Sequence, residues 1–554
     1  MTLKKFLKIS IYNLSELIQY CTIINNVIQS CITFDAIIKH IQVSISAKMI
    51  KSDHAPISTS RLEKPSVAII GSGYSGLSAA AYLARSGCTV NVYEKNTEIG
   101  GRARQLFSNG YCFDMGPSWY WMPEVFEQFF NDFGYKASDF YELEQLDPGF
   151  TIVFGKQEVM NVPANYMELE ILFESIEPGS AKQLALFLEE AAFKYRIGMN
   201  KLVHKPGLSL LEFADWDLIK GAFKLQVFTS FSKHVRRFFK DQRLITLMEF
   251  PVLFLGAMPE DTPALYSLMN YAGLKLGTWY PKGGFGKVIE GMQKVCEAQG
   301  VIFHTDSPVS HFQVADGRID RVSTKYGDSH YDGVIASADY HHVEEHLLDE
   351  EYRNYDTNYW AKRVMAPSSL IFYLGVNRKI EKLEHHTLFF DADLKLHAQE
   401  IYKNPKWPTR PLFYVCCPSK SDDSVAPEGH ENLFILMPLA PGIEDTDALR
   451  DEYFGLIMER LEDYTGVDIR LSLDYQKSYC VKDFKADYNS FKGNAYGLAN
   501  TLLQTAHLKP SIKNKKVKNL FYAGQLTVPG PGVPPSIISG KVSAQLLIQY
   551  LKHK

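Results

Sequence analysis

Three glycines, Gly71, Gly73 and Gly76, stand at GxGxxG spacing directly after the β-branched run Ser66–Ile70 and directly before a helical pattern. The first glycine permits a tight turn. The second lets the backbone approach a phosphate, and the third lets the helix pack close to the strand. The free N–H groups and the positive dipole end of that helix favour an anion. These residues predict a site for the pyrophosphate of a dinucleotide.

A carboxylate ends the next strand pattern, Thr89–Tyr93. Glu94 follows Gly76 by eighteen residues, where it can accept hydrogen bonds from the adenosine ribose and disfavour the 2′-phosphate of NADP. Gly101 and Arg102 come next, where the chain crosses back over the pyrophosphate. Glycine allows close approach and arginine pairs with phosphate. This combination favours FAD over NAD.

A stiff segment, Pro529–Pro535, stands between a predicted strand, Leu520–Ala523, and a predicted helix, Ser539–Leu551. Prolines fix φ and glycines permit unusual φ, so this backbone can lie flat against a planar ring. The segment therefore predicts a contact with the flavin ring.

The elements around these motifs predict an α/β protein. A strand–helix–strand unit within about 30 residues is typical of a Rossmann-type FAD-binding domain. Patterns at 368–376 and 431–438 predict strands of a separate, mostly antiparallel sheet in an inserted α+β substrate domain. Other patterns predict strands at 301–303, 309–314, 318–323 and 332–336, and helices at 124–133, 181–195, 209–239 and 285–299.

The predicted FAD-binding domain is split in sequence. Its parts are 65–115, 282–345 and 515–554, and the substrate domain, with a helical membrane-facing part, takes 116–281 and 346–514. Residues 1–64 are predicted to be an extension and linker. Two interpretations of residues 1–48 stand: a poorly ordered amphipathic extension or, preferred, translation starting at Met49. The uncharged run 17–34 is too polar for a membrane span.

Composition excludes several classes of protein. The 554 residues carry a formal net charge of −4, which gives no bulk argument for nucleic acid. The eight cysteines form no CxxC pair and no histidine cluster has metal spacing, so neither a disulfide scaffold nor a metal site is expected. A reducing compartment is the natural inference.

The chain resembles the bacterial-type phytoene desaturases and related carotenoid desaturases among the amine-oxidase-like flavoproteins. The resemblance covers residues 66–551 and is carried by the stretches 67–104, 113–130, 248–271, 277–292, 411–442 and 519–547. The first stretch is shared by many flavin enzymes, whereas the last is more specific to carotenoid desaturases. The resemblance implies FAD as cofactor and these nucleotide or flavin contacts: Gly71, Gly73, Gly76, Glu94, Gly101, Arg102, Gly116, Ser118, Val309, Gly524, Gln525, Val533 and Pro534. Gln525 departs from the family, which often has an acidic residue there.

The activity implied is removal of two hydrogens from a C–C bond flanked by polyene in a lipophilic carotenoid. No side chain accepts two electrons, so FAD takes a hydride and the protein supplies alignment and a dry cavity. The resulting allylic cation loses a proton to a weak base. Glu249 is the candidate base and Arg196 a candidate for orienting flavin or substrate; a helix salt bridge is the alternative for each. The electrons would pass to oxygen or a quinone.

Access to such a substrate predicts peripheral binding to the inner face of the cell membrane from the cytoplasm. The segment 194–240 holds ten Lys and Arg against three acids, interleaved with Trp216, Phe223, Phe228, Phe231, Phe238 and Phe239. Cations and aromatic rings together suit an anionic membrane surface. A solvated helical face is the alternative.

Three other functions remain open from the sequence. An amine oxidase or protoporphyrinogen-type oxidase would share the flavin fold, and a carotenoid isomerase or saturase would share the scaffold. A carotenoid- or FAD-binding protein without turnover would keep the same nucleotide motifs.

Overall fold

The computed structural model describes residues 64–209, 212 and 225–553, with the side chains of 253–255 left out. The predicted N-terminal extension, apart from Lys64, lies outside the described residues. So does most of the first half of the predicted helix 209–239, including Trp216 and Phe223.

Short strands run through the whole described chain. They are β1 (Ser66–Ile70), β2 (Thr89–Tyr93), β3 (Gln105–Ser108), β4 (Tyr111–Asp114), β5 (Leu143–Gln145), β6 (Phe150–Gly155), β7 (Glu158–Val162), β8 (Trp279–Pro281), β9 (Ile302–His304), β10 (Val309–Ala315), β11 (Arg318–Thr324), β12 (Gly327–His330), β13 (Gly333–Ala336), β14 (Ser368–Val376), β15 (His386–Phe389), β16 (Phe413–Cys416), β17 (Glu431–Leu439), β18 (Leu473–Tyr479) and β19 (Leu520–Tyr522).

Fourteen α-helices lie in the described chain. They are α1 (Tyr74–Arg85), α2 (Pro123–Asp132), α3 (Tyr166–Ile176), α4 (Ser180–Ile197), α5 (Phe231–Val235), α6 (Gln242–Glu249), α7 (Leu268–Leu274), α8 (Phe285–Ala298), α9 (Tyr340–His342), α10 (Thr357–Ala361), α11 (Leu394–Tyr402), α12 (Asp447–Thr465), α13 (Val481–Tyr488) and α14 (Val533–Lys552). Within the described ranges, none of these helices combines the length and the apolar character needed to cross a bilayer.

A five-stranded parallel sheet carries the glycine motif. Its order is β19-β13-β1-β2-β9, and every neighbouring pair is parallel. All three segments predicted for the FAD-binding domain contribute strands to this sheet. Helices α1 and α14 pack closely, since a Cβ on Gly540 would lie 2.2 Å from the carbonyl oxygen of Ser75. The parallel sheet with its helices confirms the predicted Rossmann-type fold class, whereas the exact domain boundaries stay a prediction.

A second, seven-stranded sheet has the order β18-β14-β17-β16-β15-β6-β7 and is antiparallel except between β15 and β6. All nine residues of its strand β14 are buried, which explains why that strand is uninterruptedly apolar or small. The mostly antiparallel sheet predicted from 368–376 and 431–438 is therefore present.

Two helix predictions need correction. The described part of 209–239 is not one helix: the backbone of Gln226 has positive φ, and Ser230 starts a new helix by accepting a hydrogen bond from the Lys233 amide. The last helix starts at Val533 rather than Ser539. Proline in the first helical turn loses no intrahelical hydrogen bond, so the Pro-rich segment itself forms that turn.

Candidate cofactor and substrate site

The glycine turn connects β1 to α1 with three distinct constraints. Gly71 has φ +100°, and its amide donates to the Tyr93 carbonyl at 2.8 Å. A Cβ on Gly76 would lie only 2.0 Å from the Gly71 oxygen. A Cβ on Gly73, by contrast, would meet no heavy atom within 4 Å. The turn is therefore packed against protein at two glycines and leaves open space beside the third, where the sequence predicts the pyrophosphate.

The donors around this open space suit an anion. Helix α1 has no side-chain cap at Gly73 and no acidic residue in its first turn. A Cβ on Gly101 would lie 3.2 Å from the Gly73 Cα, so the second glycine loop crosses directly over the first. Within the described part of the chain, the Nε of the neighbouring Arg102 is buried without a hydrogen-bond partner. These free donors fit a diphosphate between the two loops.

Glu94 is buried at the end of β2, where both carboxylate oxygens already accept hydrogen bonds. Ser72 donates through its amide and hydroxyl at 3.1 and 2.7 Å, and Asn96 through its amide and side chain at 3.0 and 2.9 Å. A ribose hydroxyl would have to replace one of these donors. The Ser307 amide donates to the Glu94 carbonyl, which brings nearby Val309 to the same sheet edge.

The segment after β4 adjoins the crossing loop. A Cβ on Gly116 would lie 2.6 Å from the Arg102 carbonyl oxygen. Two residues further on, Ser118 Oγ accepts a hydrogen bond from the Tyr414 hydroxyl at 3.1 Å. Ser118 is thus held between the predicted flavin segment and the seven-stranded sheet.

The C-terminal motif returns to the same helix. Gly524 has φ +113°, and its Cβ would lie 3.2 Å from Ser75 Oγ on α1. Gln525, which replaces the usual acidic residue, donates from Nε2 to Asn494 Oδ1 at 3.2 Å. Val533 and Pro534 are half-buried in the uncapped first turn of α14. The predicted nucleotide and flavin contacts thus come from segments that meet around α1, while their individual roles stay predictions.

Comparison with known proteins identifies this arrangement. The model of the flavin containing amine oxidoreductases matches residues 74–548. The chain belongs to this family. Its cofactor is FAD, as the glycine motifs predicted.

Curated relatives narrow the position within the flavin containing amine oxidoreductases. A carotenoid 3,4-desaturase of Haloarcula japonica is 41% identical over 88% of this chain and 99% of its own length. A zeta-carotene-forming phytoene desaturase of Myxococcus xanthus is 30% identical over 87% of this chain and 94% of its own. These relatives confirm the resemblance to the carotenoid desaturases and the prediction of an FAD-dependent oxidoreductase.

Solved structures agree on the fold alone. A putrescine oxidase bound to putrescine has a TM-score of 0.59 at 14% identity, covering 88% of this chain and 99% of that one. An oxidoreductase from Methanosarcina mazei has a TM-score of 0.56 at 14% identity, covering 88% and 100%.

An apolar pocket adjoins the cofactor segments of this family member. It lies between the seven-stranded sheet and α11. Its lining is almost entirely hydrophobic and aromatic: Phe250, Pro367, Leu388, Phe390, Leu394, His397, Ala398, Ile401, Tyr402, Leu412, Phe413, Tyr414, Leu436, Pro438 and Tyr496. Tyr414 connects this pocket to Ser118.

A polar cluster behind Tyr414 escaped the sequence analysis. His386 pairs across the strands with Cys416, so that His385, His386 and Cys416 place a potential ligand atom each within 4.8 Å of one another. Trp119 stacks on His386 at a centroid distance of 4.3 Å. The sequence prediction of no metal site rested on spacing along the chain, and strand register creates proximity that such spacing does not reveal. The adjacent pairs His385-His386 and Cys416-Cys417 were the available signal.

The surroundings of the two catalytic candidates, Glu249 and Arg196, show no feature that indicates catalysis. Glu249 forms an ion pair with Arg236, and burial raises the pKa of its carboxyl. Arg196 is exposed near the end of α4. These surroundings favour the salt-bridge alternative for Glu249 and give no support for a catalytic role of Arg196.

Proposed function

We propose that this enzyme introduces C=C bonds into an acyclic carotenoid that lies in the apolar pocket, with hydride transfer to FAD. One observation carries the proposal: the pocket reaches Tyr414, whose hydroxyl contacts Ser118 beside the predicted flavin segment. A wall of mostly aliphatic and aromatic side chains suits a hydrocarbon. Polar groups in the wall, such as the His397 ring and the Tyr414 hydroxyl, already have hydrogen-bond partners within the protein.

The bound FAD supplies the two-electron chemistry. The chain's own side chains exclude water and align the substrate, and a dry pocket protects the allylic cation that hydride loss leaves. Loss of a vicinal proton then completes the double bond. Reoxidation of the cofactor uses oxygen or a quinone, and anaerobic turnover with and without added quinone distinguishes the two acceptors.

Expression in two carotenoid-producing hosts tests the proposal. The Haloarcula relative is a carotenoid 3,4-desaturase and the Myxococcus relative a phytoene desaturase. One host therefore accumulates phytoene and the other the already desaturated carotenoid lycopene. Each added conjugated double bond shifts the absorption of the pigment to longer wavelength. A shift in either host supports the proposal and identifies the substrate. Unchanged pigments in both, with FAD-loaded protein present, contradict it.

We also propose that a membrane supplies the substrate. Lys233, Arg237 and Lys240 are exposed around α5, and the ring of Phe228 is 74% exposed. The sequence-based description of this surface needs correction, however. Lys194 is buried and donates to Gln226, Ala264 and Ser267, while Phe231 and Phe239 belong to the core. Among the described residues from 225 to 240, the exposed basic and aromatic side chains lie within 228–240.

Liposome sedimentation tests the membrane proposal. Changing Lys233, Arg237 and Lys240 to Glu should release the protein from anionic vesicles, because each basic residue near the surface contributes roughly 1 kcal/mol. Arg236 is kept because it pairs with Glu249. A control with the same charge change uses the exposed Lys515, Lys516 and Lys518. Equal binding of both variants would contradict the proposal.

A further inference from the structure

A buried lysine without a counter-charge lies beside the Pro-rich segment 529–535. Lys509 is only 4% exposed, and its Nζ donates a 2.9 Å hydrogen bond to Asn500 Oδ1. Asn500 is buried as well and carries no charge. Within the part of the chain that the structure describes, no carboxylate pairs with this ammonium group. A buried charge without a counter-charge is unfavourable, so its retention here needs an explanation.

The head group of Lys509 lies against the segment that is predicted to contact the flavin ring. A Cβ on Gly530 would lie 3.3 Å from Lys509 Nζ and 3.4 Å from Asn500 Oδ1, so the backbone of Gly530 passes directly over this pair. Thr527 Oγ1 donates to the Pro510 carbonyl at 2.7 Å and connects the two segments. The ammonium group is therefore fixed beside the turn that leads into α14.

The same pair is connected to the wall of the apolar pocket. Asn500 follows Tyr496, a residue of that wall, by four positions. The backbone between them is fixed by a hydrogen bond from the Ala366 amide to the Gly497 carbonyl at 2.8 Å, next to Pro367 of the wall. Lys509 and Asn500 thus lie on the segments that connect the pocket with the predicted flavin contact, and their burial excludes the water that would screen a charge.

Burial makes the charge of Lys509 depend on its surroundings. It lowers the pKa of Lys509 to about 7, because the ammonium group loses its hydration. A negative charge placed nearby would favour the ammonium form again. The cofactor of this family can supply that charge, because the ring of FAD is neutral when oxidised and carries one negative charge after it has taken up a hydride.

We propose that the ammonium group of Lys509 balances the negative charge that FAD gains on reduction. A hydride brings two electrons and one proton to the ring, so the charge of the ring changes by −1. A cation nearby favours this product over the oxidised state, which makes bound FAD a stronger oxidant. A stronger oxidant suits the removal of hydride from a hydrocarbon. The inference depends on FAD as the cofactor and not on the identity of the substrate.

Three variants of the holoenzyme test this role. Lys509→Met removes the charge at similar side-chain length, and Lys509→Arg keeps it. Asn500→Asp places a carboxylate beside Nζ and neutralises the charge without removing the lysine. Lys515→Met is the control, because Lys515 is exposed on the connection between Lys509 and β19, where solvent and salt screen its charge. Flavin content and Tm establish that each variant is loaded and folded.

The measurement is the two-electron midpoint potential of bound FAD, determined against a redox dye in the absence of any carotenoid. Lys509→Met and Asn500→Asp should each disfavour reduction about tenfold, which lowers the midpoint potential by about 30 mV. Lys509→Arg and Lys515→Met should keep the wild-type potential. The affinity for sulfite, which adds to the oxidised ring as an anion, should fall by the same factor in the same two variants.

A midpoint potential and a sulfite affinity of Lys509→Met equal to those of Lys515→Met would overturn the inference. An equal drop in Lys509→Arg would also overturn it, because packing rather than charge would then be the cause. If Lys509→Met does not retain FAD, Asn500→Asp decides in its place. No substrate takes part in these measurements, so their outcome is independent of whether carotenoid-producing hosts show the proposed desaturation.

Discussion

The nucleotide-binding region and the pocket region of this molecule differ in whether backbone or side-chain atoms form the site. Around α1 the contacts come from backbone: positive-φ glycines, an uncapped helix end and open space beside Gly73. Around the pocket they come from side chains on neighbouring strands, such as Tyr414 and His386, which meet only because β15 pairs with β16.

The difference follows from the ligands. A diphosphate is recognised by N–H groups and a helix dipole, which glycines at the right spacing between a strand and a helix can present. A hydrocarbon has no charged or polar group to bind, so its site depends on the shape and the apolar character of many side chains. Substitutions in the nucleotide-binding region should therefore cause loss of FAD. Substitutions in the pocket region should cause loss of turnover while FAD stays bound.

The largest effect is expected at Gly76. Gly76→Ala places a Cβ 2.0 Å from the Gly71 oxygen, so the strand and helix must move apart. We expect a loss of about 3 kcal/mol in stability and protein purified without yellow flavin. The free energy of unfolding and the flavin absorbance measure this. Gly455→Ala in α12 is the control, since its Cβ meets no heavy atom within 4 Å and alanine favours helix by about 1 kcal/mol. Normal flavin content in Gly76→Ala would contradict the close packing of the turn.

The two regions should also respond to pH with opposite sign. Burial raises the pKa of Glu344, beside Tyr522 of the parallel sheet, to about 7. Its folded pKa thus exceeds the unfolded value of 4.5, the folded state holds the proton more tightly, and stability falls as pH rises between these values. Burial lowers the pKa of His385, behind the pocket, from 6.5 to about 3. The folded state therefore binds this proton less tightly than the unfolded state, and the free energy of unfolding rises with pH between these two values.

Glu344→Gln removes the first contribution alone. Urea unfolding at pH 4.5 and at pH 7.5 measures the free energy of unfolding of both proteins. Between these pH values the wild type should lose on the order of 3 kcal/mol more stability than the variant. Parallel curves for the two proteins would show that the carboxyl of Glu344 does not bind its proton more tightly in the folded state.

Blocking the pocket should leave the cofactor untouched. Ala398 on α11 is buried and lines the pocket, so Ala398→Trp should lower carotenoid turnover about 30-fold, roughly 2 kcal/mol, by overfilling it. The flavin spectrum should be unchanged. Leu396→Trp on the same helix, at a position 42% exposed, should retain activity. Equal activity of the two variants would mean that the substrate lies elsewhere.

The smallest effect is expected at Arg102. Arg102→Lys keeps the charge but removes the buried Nε donor, so FAD should bind about tenfold more weakly, or about 1.4 kcal/mol. Fluorescence quenching during FAD titration of the apoprotein measures this. Arg85→Lys, at the exposed far end of α1, is the control. If Arg102→Lys binds FAD as tightly as the wild type, Arg102 Nε does not contact the cofactor.

Much of the nucleotide side could be predicted because its signals are local in sequence. The strands β1 and β2, the helix α1 and the glycine turn all follow from the pattern of residues 66–94. The sequence-based predictions are wrong where the burial or the partner of a side chain depends on segments that are distant in sequence. Phe231 and Phe239 are interleaved with cations in sequence, yet tertiary packing buries both rings. Glu249 pairs with Arg236, which follows the last residue of α5, and the sequence alone favoured no particular partner.

By itself, the sequence determined the dinucleotide turn, the α/β class and the choice of FAD, because each depends on backbone constraints within a few tens of residues. Tertiary structure alone decided the pocket and the contact of Tyr414 with Ser118 and His386, three residues spread over 296 positions. Strand register sets which side chains face each other across a sheet, and β15 and β16 are joined by a long connection with a helix rather than by a tight turn that would fix their register.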